Sequence, residues 1–211
     1  MDKFNKNDQR LWDNVFINAK PEWIQSWKSL QKTSYREDCI AFFKNEKVNK
    51  VLDLGCGVGI WSIQLALEGF DVTSTDFSEP AIAFAKNWSK EKELNIQFKV
   101  APVAEKKFED ESFDGIIASL ILDNISKEEM IKTLEVQKRQ LRKQGVMFAL
   151  FNPFMTKVQL DEIMRATNNP TKDITSVMYT DDELKAGFEG FSLVNFKKYE
   201  HGLRGLFLKK E

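Results

Sequence analysis

Nine residues constrain this chain more than any other segment: Val51-Leu52-Asp53-Leu54-Gly55-Cys56-Gly57-Val58-Gly59. A short apolar run stops at a glycine cluster, the pattern of a buried strand turning tightly into a helix. Glycines at 55, 57 and 59 let backbone approach another group where a Cβ would collide. The helix that follows presents free N–H groups, which suit a carboxylate or phosphate. A strand buried on both faces needs strand neighbours and helices above and below it.

The sequence supplies them by alternation. After the helix from Ile60 to Glu68, ended by Gly69, come a strand at Phe70–Thr75 and a helix that Ser78 caps with Pro80 in its first turn. Further strands are expected at Ile96–Ala101, Phe113–Leu122 and Val146–Phe151. A charged helix from Ser126, with Glu129 completing a capping box, is expected to run to about Lys143, with Gln144-Gly145 as the turn. Five strand–helix alternations argue for a parallel sheet with right-handed crossovers. Thr180 to Glu183 reads as another capping box, before a short helix to about Ala186. The last two runs, Phe191–Tyr199 and Gly202–Lys209, are too close for a crossover and read as an antiparallel hairpin. Residues 7–45 read as helical, with Trp12/Phe16 and Trp23/Trp27 each sharing a helix face.

Composition narrows the function classes. Apolar residues make up 42% and charged residues 30%, as in ordinary globular domains. The net charge is −1, so no long-range field draws the chain to nucleic acid or an anionic membrane. Two cysteines, Cys39 and Cys56, and one histidine, His201, give neither a disulfide framework nor the four ligands of a structural metal site. No metal is expected. No secretory signal is read at the N-terminus, and no apolar run spans a bilayer, so the expected location is cytoplasmic. One domain is expected over residues 1–211. It comprises a helical cap (1–46), a binding core (47–152) and an acceptor-side insertion with hairpin (153–211).

The ligand class follows from the acids. Asp76 stands 21 residues after Gly55, at the end of the second strand, where a carboxylate can accept both hydroxyls of a ribose. The loop and the acid together fit an adenosine-containing cofactor. The spacing is GxGxG rather than the GxGxxG of dinucleotide sites, which disfavours an NAD-dependent oxidoreductase. Asp53 is unwelcome to a pyrophosphate and suits a ligand bearing a cationic amine.

VLDLGCGVG resembles motif I of the class I S-adenosylmethionine-dependent methyltransferases, and the likeness covers residues 48–152. Asp76 in TSTDFS is similar to the family's ribose acid. FDGIIASLILDNI (Phe113–Ile125) is similar to its fourth-strand motif, and LRKQGVMFALF (Leu141–Phe151) to the segment entering its fifth strand. The resemblance implies an α/β fold: three layers around a Rossmann-like seven-stranded sheet, mostly parallel with an antiparallel C-terminal hairpin strand, plus N-terminal helices. It implies S-adenosylmethionine as cofactor and S-adenosylhomocysteine as product. The cofactor residues it implies are Asp53, Gly55, Cys56, Gly57, Gly59, Asp76, Phe77, Val103, Ala104 and Ser119. Where the family often has an Asp at the adenine edge, this chain has Pro102, leaving the Val103 N–H to reach the ring.

The acceptor is less legible. Ligands bind at the carboxyl ends of such strands, which singles out Asp123 as a candidate base and Asn124 and Asn152 as substrate contacts. Tyr35, Tyr179 and His201 are further, unsupported candidates. RLWDNVF resembles the leader of small-molecule methyltransferases whose N-terminal helices fold over the cofactor. Trp12 and Phe16 therefore either form a lid or pack the helices onto the sheet. Asn152-Pro153-Phe154 is similar to the NPPY motif of nucleic-acid methyltransferases, but it follows the fifth strand and has one proline. The C-terminal segments resemble the tellurite-resistance group, which is similar to thiopurine-type enzymes. The expected activity is methyl transfer to a small-molecule acceptor by in-line displacement. Alternatives are a non-catalytic cofactor-binding sensor or partner subunit, a nucleic-acid or protein methyltransferase, and an aminopropyl transferase. Nothing chooses between a monomer and a homodimer.

Overall fold

A computed structural model describes residues 6–156, 158–159, 162 and 176–211. The expected insertion at Lys157–Val177 lies largely outside them. Three helices, α1 (Lys6–Ile17), α2 (Pro21–Lys28) and α3 (Ser34–Asn45), precede a sheet of seven strands. The strands are β1 (Lys50–Leu54), β2 (Asp71–Asp76), β3 (Gln97–Val100), β4 (Phe113–Ser119), β5 (Leu141–Phe151), β6 (Phe191–Lys198) and β7 (Arg204–Lys210). Helices α4 (Ile60–Leu67), α5 (Glu79–Glu91) and α6 (Lys127–Gln140) make the crossovers, and α7 (Asp181–Lys185) precedes the hairpin. The strand order is β3-β2-β1-β4-β5-β7-β6. The first five strands pair in parallel, and β7 runs antiparallel to both β5 and β6. Among the described residues, no helix is long and apolar enough to cross a membrane.

Local chemistry sets the boundaries. Ser78 caps α5 by accepting from the Ala81 N–H at 3.4 Å. Thr180 and Glu183 form both arms of the expected capping box on α7. Ser126 accepts from the Glu129 N–H at 3.1 Å and starts α6 where expected. Two cores lie on opposite faces of the sheet. One packs α6 over Leu52, Ile116, Ala118 and Phe151. The other packs α3 and α4 over Val51, Ile117, Phe148 and Phe207.

Two boundaries differ from expectation. Helix α6 stops at Gln140, and Leu141 already pairs with Phe113, so β5 starts five residues early. Residues 142–145 then bow out opposite Asp114, with Gln144 at φ +59°. Arg142 Nε closes the bow at 3.0 Å from Asp114 Oδ1. Strand β4 ends at Ser119, three residues before its apolar run does. Leu120 turns to φ +54°, and Ile121 and Leu122 continue as a loop packed against the core. That loop needs apolar residues as much as a strand does, so hydrophobicity does not mark where the strand ends.

Gly59 holds two crossovers together. Its φ is +85°, and a Cβ there would lie 2.9 Å from Ala85 Cβ on α5. Gly59→Ala is expected to destabilise the fold by about 1–3 kcal/mol, from backbone strain and overpacking together. Urea denaturation compared with the parent checks this, and an unchanged midpoint contradicts it.

Candidate active site

The sheet's carboxyl edge brings two buried acids to either side of the glycine loop. Asp53 ends β1 at 1% exposure, and Asp76 ends β2 at 6%. The loop turns between them with Gly55, Gly57 and Gly59 all at positive φ. The Cys56 N–H donates to the Thr75 carbonyl at 2.9 Å, fixing the loop to β2. Asp76 accepts from the Gly57 N–H at Oδ2 (2.8 Å) and from the Ser78 N–H at Oδ1 (2.9 Å). One carboxylate thus joins the loop to the start of α5. Asp53 accepts from the Ser62 hydroxyl at 2.6 Å, and Ser62 in turn accepts from the Ser74 hydroxyl at 2.9 Å.

These acids share a cavity of about 420 Å³. Its floor is the glycine loop with Ser119, Leu120 and Ile121 from the end of β4. Its walls include Tyr35, Arg36 and Trp61, and Trp12, Val15, Phe16 and Trp27 of α1 and α2 lie over it. Burial pushes Asp53 up to about 7, against the opposing pull of the Ser62 hydrogen bond. Burial likewise pushes Asp76 up to about 6, against its backbone N–H donors.

Most of the expected cofactor residues meet here. Asp53, Gly55, Cys56, Gly57, Asp76, Phe77 and Ser119 all line the cavity, as do the lid candidates Trp12 and Phe16. Trp12 stacks on Phe16 at 5.8 Å, and Trp27 bridges Phe16 to Phe84 of α5 at 6.5 and 5.9 Å. The aromatic face therefore covers the cavity and packs the cap at once.

Other candidates fall elsewhere. Gly59 spaces α4 from α5 rather than lining the cavity. Val103 is buried in the core beneath α6, and its carbonyl accepts from Gln137. Ala104, beside it, does not line the cavity either. Asn124 donates to the Leu120 carbonyl, which closes its own turn. Asp123 Oδ2 accepts from the Asn152 N–H at 2.7 Å, tying the loop after β4 to the end of β5, and neither residue lines the cavity. The Asn152 carbonyl accepts from Arg204, whose buried guanidinium also donates to the Tyr179 carbonyl. Tyr179 packs on Phe151 in the α6-side core, and His201 is exposed in the β6–β7 turn.

The sequence reading missed Arg36, the one cation lining the cavity among the described residues. Its guanidinium lies 5.7 Å from the centres of the Tyr35 and Trp61 rings. Nη1 donates to the Gln31 carbonyl, and the buried Nε has no partner. Burial lowers its pKa. Tyr35, unsupported in the sequence, stands beside it on the cavity wall.

Comparison with known proteins agrees with this geometry. The model of a family described as a methyltransferase domain matches residues 51–145. The probable S-adenosyl-L-methionine-dependent methyltransferase TehB of Haemophilus influenzae is 25% identical over 171 residues, covering 81% of this chain and 56% of the relative. The chain is thus similar to S-adenosylmethionine-dependent methyltransferases in sequence over its core. A ubiquinone biosynthesis O-methyltransferase of Pelagibacter ubique is 27% identical over 154 residues, covering 70% of this chain and 62% of that one. The chain thus spans little more than half the length of these curated relatives. Magnesium protoporphyrin IX methyltransferase from Synechocystis, with S-adenosylhomocysteine bound, shares the fold at TM-score 0.71 and 17% identity, covering 97% of this chain and 100% of that one. The cofactor named for the TehB relative is S-adenosylmethionine.

The residues fit that cofactor. Asp76 takes backbone N–H groups on both oxygens and keeps acceptor capacity for a hydroxyl. The lining also carries a second buried carboxylate, Asp53, and one guanidinium, Arg36, charges of the two signs that an amino-acid zwitterion complements.

The ligand favours both acids ionised, and their pKa values are raised. Affinity for S-adenosylhomocysteine is therefore full above about pH 7 and is lost as pH falls through 7 and 6. Titration calorimetry is expected to show about a hundredfold weaker binding at pH 5.5 than at pH 8, with proton release on binding near pH 6.5. Equal affinity across that range contradicts the assignment of these acids.

Proposed function

We propose that this chain transfers a methyl group from S-adenosylmethionine to a small-molecule acceptor by in-line displacement. The observation that carries this reading is that Asp76, the glycine loop, Asp53 and Arg36 all line one cavity. When bound, the cofactor supplies a methyl group already activated on a sulfonium centre. The protein's task is then to orient two partners and exclude water. Asp76 and the Gly57 N–H fix the ribose end, Asp53 and Arg36 the other end, and Ser119, Leu120 and Ile121 form the floor between them.

The cavity holds no group reserved as a base. Among the described residues its titratable members are Tyr35, Arg36, Asp53, Cys56 and Asp76. Burial raises the Cys56 thiol well above its ordinary range, and both acids have cofactor roles. This favours an acceptor that arrives with a lone pair available, such as a thiolate or an oxyanion, over one that must be deprotonated in the site. It also argues against Asp123 as the base, because that carboxylate is held by Asn152 outside the cavity. The enclosing cap and the balanced charge support a small acceptor over nucleic acid, as does a relative named for ubiquinone biosynthesis.

Titration with S-adenosylhomocysteine, with NADH as the control, tests the cofactor reading. Asp76→Ala is expected to weaken binding by about 2–4 kcal/mol, the value of a charge-assisted hydrogen-bond pair. Unchanged affinity in a folded variant removes the ribose assignment. S-adenosylhomocysteine release across a panel of thiols, oxyanions and phenols tests turnover. Tight cofactor binding with no turnover on any acceptor favours a sensor or partner subunit instead.

A further inference from the structure

We propose that Asp13 is a positioning residue of the cofactor site, latching the α1–α2 cap to the turn that carries the ribose acid. The proposal rests on the reading that the cavity binds S-adenosylmethionine. The Ser78 hydroxyl has one proton. Its oxygen accepts from the Ala81 N–H as the cap of α5, and its proton goes to Asp13 Oδ1 at 2.5 Å. The Ser78 N–H meanwhile donates to Asp76 Oδ1. Asp13 thus reaches Asp76 through a single residue. One turn earlier on α1, Gln9 Nε2 donates to the Phe77 carbonyl at 3.1 Å. Among the described residues, both side-chain hydrogen bonds from α1 to the sheet domain fall on the turn next to Asp76. Phe16, on the same helical face, lies 3.7 Å from where a Gly57 Cβ would be. One face of α1 therefore touches the turn after Asp76 and the glycine loop together, over the cavity that both line.

The cap is held weakly enough to move. No described side chain of α1 or α2 is fully buried, whereas α3 buries Cys39, Ile40 and Phe43. Elements with few buried contacts open at the lowest free energies. The joint between α2 and α3 contains Leu30 at φ +48°, an unfavourable conformation for a leucine. Asp13 and Asp76 are like charges, and Asp13 adds to the upward push on Asp76. Seating the empty cap therefore opposes a repulsion. A ligand that touches both the glycine loop and the aromatic face of α1 favours the seated cap despite that repulsion, so ligand binding and cap closure favour each other.

The test compares the parent with Asp13→Ala, Asp13→Asn and Gln9→Ala. Release of S-adenosylhomocysteine is followed by tryptophan fluorescence, since Trp12, Trp27 and Trp61 all line the cavity. Hydrogen exchange of α1 is measured on the same samples with and without ligand. Asp13→Ala is expected to release ligand about tenfold faster and to lose the ligand-induced protection of α1. Asp13→Asn keeps an oxygen that can accept from Ser78 and is expected to stay within about threefold of the parent, while Gln9→Ala shifts in the same direction as Asp13→Ala. Parent-like release from a folded Asp13→Ala variant, with parent α1 protection or without it, overturns the latch and leaves the cofactor reading intact. A parent protein that does not bind S-adenosylhomocysteine overturns both.

Discussion

The site depends on one carboxylate. Asp76 is buried at the end of β2 and spends an oxygen on each of two backbone N–H groups, Gly57 on the loop and Ser78 at the start of α5. A buried, ionised acid is costly unless such donors satisfy it. Here the donors belong to two separate crossovers, so the acid also fixes their relative position. The glycine loop keeps its left-handed turns because its far side is bound to Thr75 and its near side to Asp76. Ile121 presses on Gly55 from the loop after β4, where a Cβ would come within 2.7 Å.

The cavity lining carries charges of both signs. Two acids lie toward β1 and β2, and Arg36 lies on the wall formed by α3 and α4. Apolar and aromatic groups fill the space between, keeping the dielectric low and the charges effective. The cost appears as raised acid pKa values and a lowered Arg36 pKa. A zwitterion with a ribose is the kind of ligand that relieves all three at once.

Much of this was legible in the sequence, because local chemistry writes it. The glycine loop, the terminal acids of β1 and β2, and the caps at Ser78 and Thr180 are short-range signals. The antiparallel hairpin was legible from its short connection. Arg36 was not, being one of 31 cations, and only the packing of α3 against Trp61 brings it to the cavity. The ends of β4 and α6 were misjudged for a related reason. Leu120–Leu122 are apolar because they pack as a loop, and Leu141 leaves the helix because Phe113 offers it a ladder partner. Val103 and Asp123 had the right sequence spacing, but they turn into the α6-side core and toward Asn152, respectively.

Arg204 carries one further consequence. Its guanidinium, at 2% exposure, holds the carbonyls of Asn152 and Tyr179 and pairs with Asp181 at 3.4 Å. Those residues stand where the chain leaves β5 and where it returns before α7. Arg204 thus ties these two points together, beside the Val177 N–H that donates to the Asp123 carbonyl. Loop-closure entropy rises only slowly with length, so a segment pinned at its base can lengthen, shorten or change sequence with little effect on the sheet. The cofactor half of the molecule and this excursion are thereby free to diverge at different rates, one held by Asp76 and the other open to revision.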